Sequence, residues 1–271
     1  MKSGAVMSHT GRIRNRIAAL VGATALAACI AGCNQQPQST ATTAAPAPTM
    51  GSVATNDIAK TPELQQAAMT MGKDIYDKNC SACHGADLKG SADHHTPDLT
   101  DDYWMFAGDD VNSGGNIMFP SDVERTVLYG IRSDHAKTRN DADMPGLGAQ
   151  ARNILNAQEI ADVTEYVLKL SGQTANEQAV TRADKLWNDK GSCYDCHDPD
   201  GIGNGGIGGT DLTKKEHFLY GADKQSITET ITSGRHGISP AFEGKLSTEE
   251  IKAVSVYVFA QAKPSAPLPT P

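Results

Sequence analysis

Two short stretches of the chain share one pattern of cysteines and histidine, and this pattern restricts the fold more than any other feature. In each stretch, two cysteines separated by two residues are followed directly by a histidine. The residues are Cys80, Cys83 and His84 in the first stretch, and Cys193, Cys196 and His197 in the second. Paired cysteines alone also occur in zinc and thioredoxin-like sites. Two copies that include the histidine predict two covalently bound haem c groups.

Composition and charge narrow the possible roles. With 271 residues, 39% of them hydrophobic, the chain suits one or two small domains. The net charge of −8 argues against nucleic acid as a partner and favours redox partner proteins with basic faces. The sequence offers no pattern typical of a small-molecule substrate pocket.

The amino terminus has the pattern of a bacterial export signal. Three arginines precede an apolar run over residues 17–30, which is short for a membrane span. Two tetrapeptides resemble the lipobox, whose cysteine receives lipid, and we favour Cys33 over Cys29 because polar residues follow it at once. Residues 1–33 are therefore predicted to be a lipoprotein-type signal peptide, with an ordinary cleaved signal or an uncleaved anchor helix as alternatives. In each case we expect the protein on the periplasmic side of a bacterial membrane, with a lipid anchor as the favoured attachment.

Two segments show no periodic apolar pattern. Residues 34–62 are rich in Ala, Thr, Pro, Ser and Gln and predict a disordered tether, and residues 263–271 form a Pro-rich tail. The folded part is expected between them.

The sequence of the folded part repeats once. Asp98–Thr100 recurs as Asp211–Thr213 at the same distance after the motif histidine, and residues 121–132 resemble residues 225–235. A repeat on this scale indicates two copies of one structural unit.

Helix signals have the same order in both copies. A helix precedes each motif, and capping boxes pair Asn156 with Glu159 and Ser247 with Glu250 at the start of each terminal helix. Strand patterns are sparse. The sequence predicts an all-α fold of two tandem domains, residues 63–172 and 173–262.

This order of features resembles class I cytochrome c, and the tandem arrangement is similar to the dihaem subunit III of cbb3-type cytochrome c oxidase. The resemblance covers roughly residues 63–262. It implies two cytochrome c folds, each with a covalently bound haem c. A transmembrane segment normally anchors that oxidase subunit, whereas here the sequence indicates only the export signal and the lipid.

The resemblance also implies an iron ligand in the first half. Met144, followed by Pro145, comes between the middle and terminal helices, where class I cytochromes c place the ligand methionine. Met105 and Met118 are the alternatives, but Met105 has the aromatic neighbours of a structural methionine. Ligation by His84 and Met144 would favour Fe(II), as is typical of electron transfer.

The second half departs from this pattern. No methionine follows Met144, and Ser239 stands where the family places its ligand. A serine hydroxyl is a weak ligand for haem iron, so His217, His236 or an open position is expected opposite His197. An open position would permit binding of small ligands.

Smaller expectations concern the surroundings of each haem. The carbonyls of Pro97 and Thr210 are expected to orient the motif histidines, as in the family. Arg132 and Arg235 are candidates for the haem propionates. His95 and the histidine directly before it are interpreted as loop residues.

The favoured function is electron transfer between respiratory donor and acceptor proteins, without catalysis of its own. One alternative is a haem-based enzyme or gas-binding sensor that uses an open second haem. The other is a fixed subunit of an oxidase or dehydrogenase complex.

Overall fold

A computed structural model describes residues 47–106, 118–139, 143–205 and 207–262. The predicted signal peptide with Cys29 and Cys33, the first part of the tether and the tail 263–271 lie outside the described residues. No helix within the described ranges is long and apolar enough to cross a membrane.

The described ranges are mostly helical, which confirms the all-α prediction. They contain nine α-helices, two short 3-10 helices and one pair of two-residue strands, joined by long loops. The α-helices are α1 Thr55–Ile58, α2 Pro62–Asn79, α3 Ser81–His84, α4 Pro120–Tyr129, α5 Ala157–Leu170, α6 Glu177–Asn188, α7 Tyr194–His197, α8 Lys224–Ser233 and α9 Thr248–Gln261. The strands are β1 Met144–Pro145 and β2 Gly234–Arg235, and the 3-10 helices are Met50–Ser52 and Lys215–His217.

Local sequence explains where the long helices begin. α2 begins with a proline, whose fixed φ suits the first helical turn. The side chains of Asn156 and Ser247 accept hydrogen bonds from the backbone of Glu159 and Glu250, so both predicted capping boxes are confirmed.

The helices pack as two modules that cross the predicted domain boundary. The first module contains α2, α4 and α9, and the second contains α5, α6 and α8. α9 crosses α2 closely at Gly72, where an added Cβ would lie 2.3 Å from the carbonyl oxygen of Ala253. The two halves of the chain have therefore exchanged their terminal helices.

This exchange differs from the expectation that residues 63–172 and 173–262 each pack on themselves. The physical reason is that α5 and α9 begin with similar capping boxes and carry similar apolar faces. Periodicity shows that such a face is buried, but it does not show which partner covers it.

Each module has an apolar core next to its cysteine–histidine motif. The first core includes Ile75, Tyr76, Leu88, Met118, Val123, Val254, Tyr257, Val258 and Phe259, and Cys80 packs against it. The second core includes Leu147, Leu155, Ile160, Val163, Val167, Trp187, Leu212, Ile227 and Ile231, and Cys193 packs against it.

The segment before α2 packs against α9. Met50 and Ile58 are buried there, and Lys252 Nζ donates a hydrogen bond of 2.7 Å to the carbonyl oxygen of Val53. The predicted disordered tether, residues 34–62, is therefore too long at its C-terminal end. The segment is mostly polar, and this obscured its few apolar residues in the sequence. The face of α9 is enough to bury them.

Candidate functional site

Each motif forms one helical turn directly after a long helix, because α3 follows α2 and α7 follows α6. The four motif cysteines form no disulfide among the described residues. Burial raises the pKa of Cys80 and of Cys193 to about 11. The first cysteine of each motif thus lies at the edge of an apolar core.

A buried aromatic side chain fixes the end of each motif. Tyr76 Oη donates to the carbonyl oxygen of Gly85 at 2.7 Å, and Trp187 Nε1 donates to the carbonyl oxygen of Asp198 at 3.2 Å. Each acceptor directly follows a motif histidine. The two modules therefore hold their motifs by the same kind of hydrogen bond, from a buried aromatic side chain to a backbone carbonyl.

A backbone carbonyl faces the ring of the second motif histidine. His197 Nδ1 lies 2.9 Å from the carbonyl oxygen of Thr210, and that contact leaves Nε2 free to bind iron. Burial lowers the pKa of His197 and of His84, and the carbonyls of Thr210 and Pro97 partly oppose this. The Thr210 carbonyl therefore lies where the sequence predicted it, whereas the contact between Pro97 and His84 does not reach hydrogen-bond geometry, because His84 Nδ1 has no hydrogen-bond partner among the described residues.

An apolar cavity opens beside the second motif. Cys193, Cys196 and His197 line it together. Its apolar wall includes Leu147, Val163, Val167, Trp187, Leu212, Phe218, Ile227 and Ile231. Two cysteine sulfurs and an imidazole on one apolar cavity are the groups that a c-type haem requires, so the residues fit this cofactor.

Met144 lines this second cavity together with Met105. The sequence had suggested Met144 as a ligand beside His84, whereas the structure places it in the cavity of His197. The difference arises because β1, which contains Met144, pairs antiparallel with β2 at the end of α8 in the second module. Met144 faces Arg235 across this ladder, and Pro145 faces Gly234.

The loop that contains Ser239 makes the reciprocal contact, which is with the first module. The backbones of Ile131 and Ser239 exchange two hydrogen bonds of 2.9 Å, directly after α4. Phe242 N then donates to the carbonyl oxygen of Val127 at 3.0 Å. In the second module, Leu147 N donates to the carbonyl oxygen of Ile231 at 2.8 Å.

These two contacts are equivalent in sequence. Leu147 comes three residues after Met144, and Phe242 comes three residues after Ser239. Their acceptors, Val127 and Ile231, occupy the same position in α4 and α8. Three residues after each acceptor, the helix ends at a glycine of positive φ, which is Gly130 (72°) after α4 and Gly234 (80°) after α8. Ser239 therefore has the same place at the first module that Met144 has at the second.

The first motif has its own sign of a cofactor. Trp104 packs against the core that contains Cys80, and its Nε1 is buried without a hydrogen-bond partner among the described residues. A buried indole N–H normally finds an acceptor. A haem carboxylate would supply one, so this module also fits a haem.

The two histidines predicted as ligands have other partners. His217 is 7% exposed and stacks on Tyr103, with ring centroids 3.7 Å apart, and its Nδ1 lies 3.4 Å from Asp211 Oδ2. The side chain of His236 is 62% exposed and lies 2.8 Å from Asp143 Oδ2. Neither is among the described residues that line the second cavity.

Polar residues at the second cavity come from both halves of the chain. Arg132 and Arg235 line it, as their predicted propionate role requires. His95 and Tyr220 line it as well, with ring centroids 4.5 Å apart. Sequence reasoning missed His95, because a loop position in one half gave no signal for the cavity of the other.

Comparison with protein families divides the chain near residue 172. The family described as "Cytochrome c" matches residues 69–171. The family described as "Cytochrome C oxidase, cbb3-type, subunit III" matches residues 178–258.

Curated relatives match across both regions. The cbb3-type cytochrome c oxidase subunit FixP of Bradyrhizobium sp. (strain ORS 278) is 37% identical over 203 residues, covering 74% of this chain and 64% of that protein. FixP of Bradyrhizobium diazoefficiens is 35% identical, covering 77% and 66%. Subunit CcoP of Azospirillum sp. (strain B510) is 34% identical, covering 75% and 65%. The chain thus spans 64 to 66% of the length of these three relatives.

Proposed function

Since the chain contains two cytochrome c domains and is homologous to the FixP and CcoP subunits of cbb3-type oxidases, we propose that it is an electron-transfer protein rather than an enzyme. Two cytochrome c domains imply two covalently bound c-type haems. A bound haem supplies a reversible one-electron couple between Fe(III) and Fe(II).

The observation that carries this proposal is the composition of the second cavity. His197 and Met144 line the same cavity as the thiols of Cys193 and Cys196. Imidazole and thioether are the axial pair of electron-transfer cytochromes, because the soft sulfur favours Fe(II) and raises the potential. We therefore assign Met144, supplied by the first half of the chain, to the haem of the second motif.

The chain prepares this site for electron transfer in three ways. Apolar side chains exclude water, which reduces the reorganisation that accompanies a change of charge. The Thr210 carbonyl fixes the tautomer and orientation of His197. Arg132 and Arg235 at the rim of the cavity would neutralise the haem carboxylates.

At the first motif, the same roles fall to a parallel set of residues. Cys80 and Cys83 would hold the haem, His84 would ligate its iron, and Trp104 Nε1 would bind a carboxylate. Cys80 and Trp104 lie against the core that α9 completes.

The partners and the location follow from charge and from the amino terminus. The net charge of −8 favours redox partners with basic faces. Lipid on Cys33, or on Cys29, would hold the protein at the periplasmic side of a bacterial membrane. Labelling with radioactive palmitate checks this, and loss of the label only in Cys33→Ala would identify the modified cysteine.

The named relatives are oxidase subunits, so we place the electron acceptor in a terminal oxidase complex. Gentle solubilisation of membranes followed by affinity purification of the tagged protein tests this assignment. We expect an oxidase to copurify with the haem-loaded chain. Recovery of the chain without any oxidase would contradict a fixed subunit.

Substitution of Met144 tests the electron-transfer site itself. In the haem-loaded protein, Met144→Leu should remove the methionine-to-iron charge-transfer band and lower the potential of one haem. Met105→Leu is the matched control, because Met105 lines the same cavity. It should leave the band in place.

Two outcomes would contradict the assignment. The first is a band that survives Met144→Leu and disappears in Met105→Leu. The second is loss of one low-spin haem in His236→Ala or His217→Ala, which would restore a histidine as the ligand. Potentiometric titration with optical detection measures all four variants.

A further inference from the structure

The two exchanged loops differ at the position that matters for iron. Met144 and Ser239 make the same backbone contacts, each to the residue after the glycine that ends a middle helix. The loop with Met144 reaches the second module. The loop with Ser239 reaches the first module. Its neighbours there are Val127, which belongs to α4, and Ile131, which follows α4.

Serine and methionine differ both in reach and in chemistry. The serine side chain is shorter, and its hydroxyl is a hard oxygen donor that binds haem iron weakly. Ser239 is only partly buried, and the adjacent Ile238 is 73% exposed. This loop therefore supplies a shorter side chain with a harder donor atom, in a partly exposed position, where the other loop supplies a thioether.

Two described side chains of the first module that could bind iron have other contacts. Met118 is buried in the core, and its counterpart two residues before α8, Ala222, is not among the described residues that line the second cavity. His135 lies 2.7 Å from Glu243 Oε2 and stacks on Tyr129. Neither side chain has the place that Met144 has in the other module.

We propose that the haem attached to Cys80 and Cys83 has an exchangeable position opposite His84, next to Ser239, that binds neutral diatomic ligands such as carbon monoxide. The inference rests on the proposed function, because it requires the exchanged assignment of Met144. It transfers the ligand-binding role from the second motif, where the sequence suggested an open iron, to the first. The chain would then combine one electron-transfer haem with one ligand-binding haem.

Carbon monoxide binding to the reduced, haem-loaded full chain tests the inference. We expect one carbon monoxide per chain, hence half of the haem, and one high-spin and one low-spin signal in the electron paramagnetic resonance spectrum of the oxidised protein. Ser239→Met should supply the missing thioether, reduce carbon monoxide affinity at least about tenfold and add a second methionine-to-iron band. Ser239→Ala is the matched control and should keep full binding.

A second pair of variants locates the bound ligand without removing a haem. Val127 in α4 and Ile231 in α8 are counterparts, so Val127→Ala and Ile231→Ala make similar changes in the two modules. The infrared stretching frequency of bound carbon monoxide should shift in Val127→Ala and stay unchanged in Ile231→Ala.

The outcomes separate this inference from the proposed function. Two low-spin haems without carbon monoxide binding, unchanged binding in Ser239→Met, or a frequency shift confined to Ile231→Ala would each overturn the inference. Failure of the Met144→Leu test would overturn the methionine assignment within the proposed function. That result is read from the methionine band and is independent of carbon monoxide.

Discussion

The loops at Met144 and Ser239 are alike in backbone and different in chemistry. Each crosses to the module of the other half and bonds to the end of its middle helix. One carries a thioether to a cavity that already contains a motif histidine, whereas the other carries a short hydroxyl. The comparison shows that two copies of one fold can keep the same packing while a single side chain gives their two sites different roles.

The largest expected effect concerns the buried aromatic side chain that holds the end of each motif by a hydrogen bond. Trp187 is 1% exposed and bonds to the end of the second motif. Trp187→Ala should lower the free energy of unfolding of the haem-loaded protein by about 3–5 kcal/mol. Thermal unfolding monitored by circular dichroism measures this. Trp187→Phe keeps most of the ring and should cost clearly less, and an equal loss in both variants would show that packing is not the main contribution.

The exchange of terminal helices can be disrupted at one close contact. In Gly72→Val the new Cβ would meet Ala253 O at 2.3 Å and Tyr257 Cβ at 2.5 Å. We expect a loss of about 1–3 kcal/mol in the free energy of unfolding, with the first haem affected before the second. Denaturant unfolding followed in the spectrum of each haem checks the order. Ala67→Val, at an exposed position of α2, should have little effect.

A buried carboxylate ties α5 to α6 in the second module. Arg182 donates to both oxygens of Asp162 at 2.8 and 2.6 Å, and these bonds lower the pKa of Asp162. Their stabilisation is therefore present above the unfolded pKa of about 3.9 and is lost as pH falls through the lower folded value.

Asp162→Asn should accordingly cost about 1–3 kcal/mol of unfolding free energy near neutral pH and much less in acid. Unfolding by denaturant across this pH range measures the difference. A cost that is independent of pH would show that the charge of Asp162 contributes nothing.

The smallest expected effect is at an exposed ion pair of the first module. Lys73 Nζ lies 2.6 Å from Asp77 Oδ2, and both side chains are exposed. Lys73→Ala should change the free energy of unfolding very little, because solvent screens an exposed ion pair. A larger loss would mean that surface charges distinguish the modules, and thermal unfolding at low and high salt decides this.

Much of the fold and of the attachment chemistry was predictable from the sequence. The motif spacing, the capping boxes at Asn156 and Ser247, and the carbonyl of Thr210 are local features, and each lies where its pattern indicated. Local patterns depend on neighbours in the chain, so one sequence contains the information.

The assignment of distal residues was not predictable in the same way. Met144, His95 and α9 all contact the other half of the chain, and nothing in their local sequence names that partner. His217 appeared as a ligand candidate because no methionine follows Met144. In the structure its ring instead stacks on Tyr103, a contact between the halves.

The exchange of the two loops is tested most directly by nuclear magnetic resonance of the reduced, carbon monoxide-treated protein with labelled methionine methyl groups. In this diamagnetic state the methyl group of Met144 should be strongly shifted by the haem ring. It should show nuclear Overhauser effects to the haem whose thioether bonds lead to Cys193 and Cys196. Contacts from Met144 to the haem of Cys80 and Cys83 would contradict the exchange.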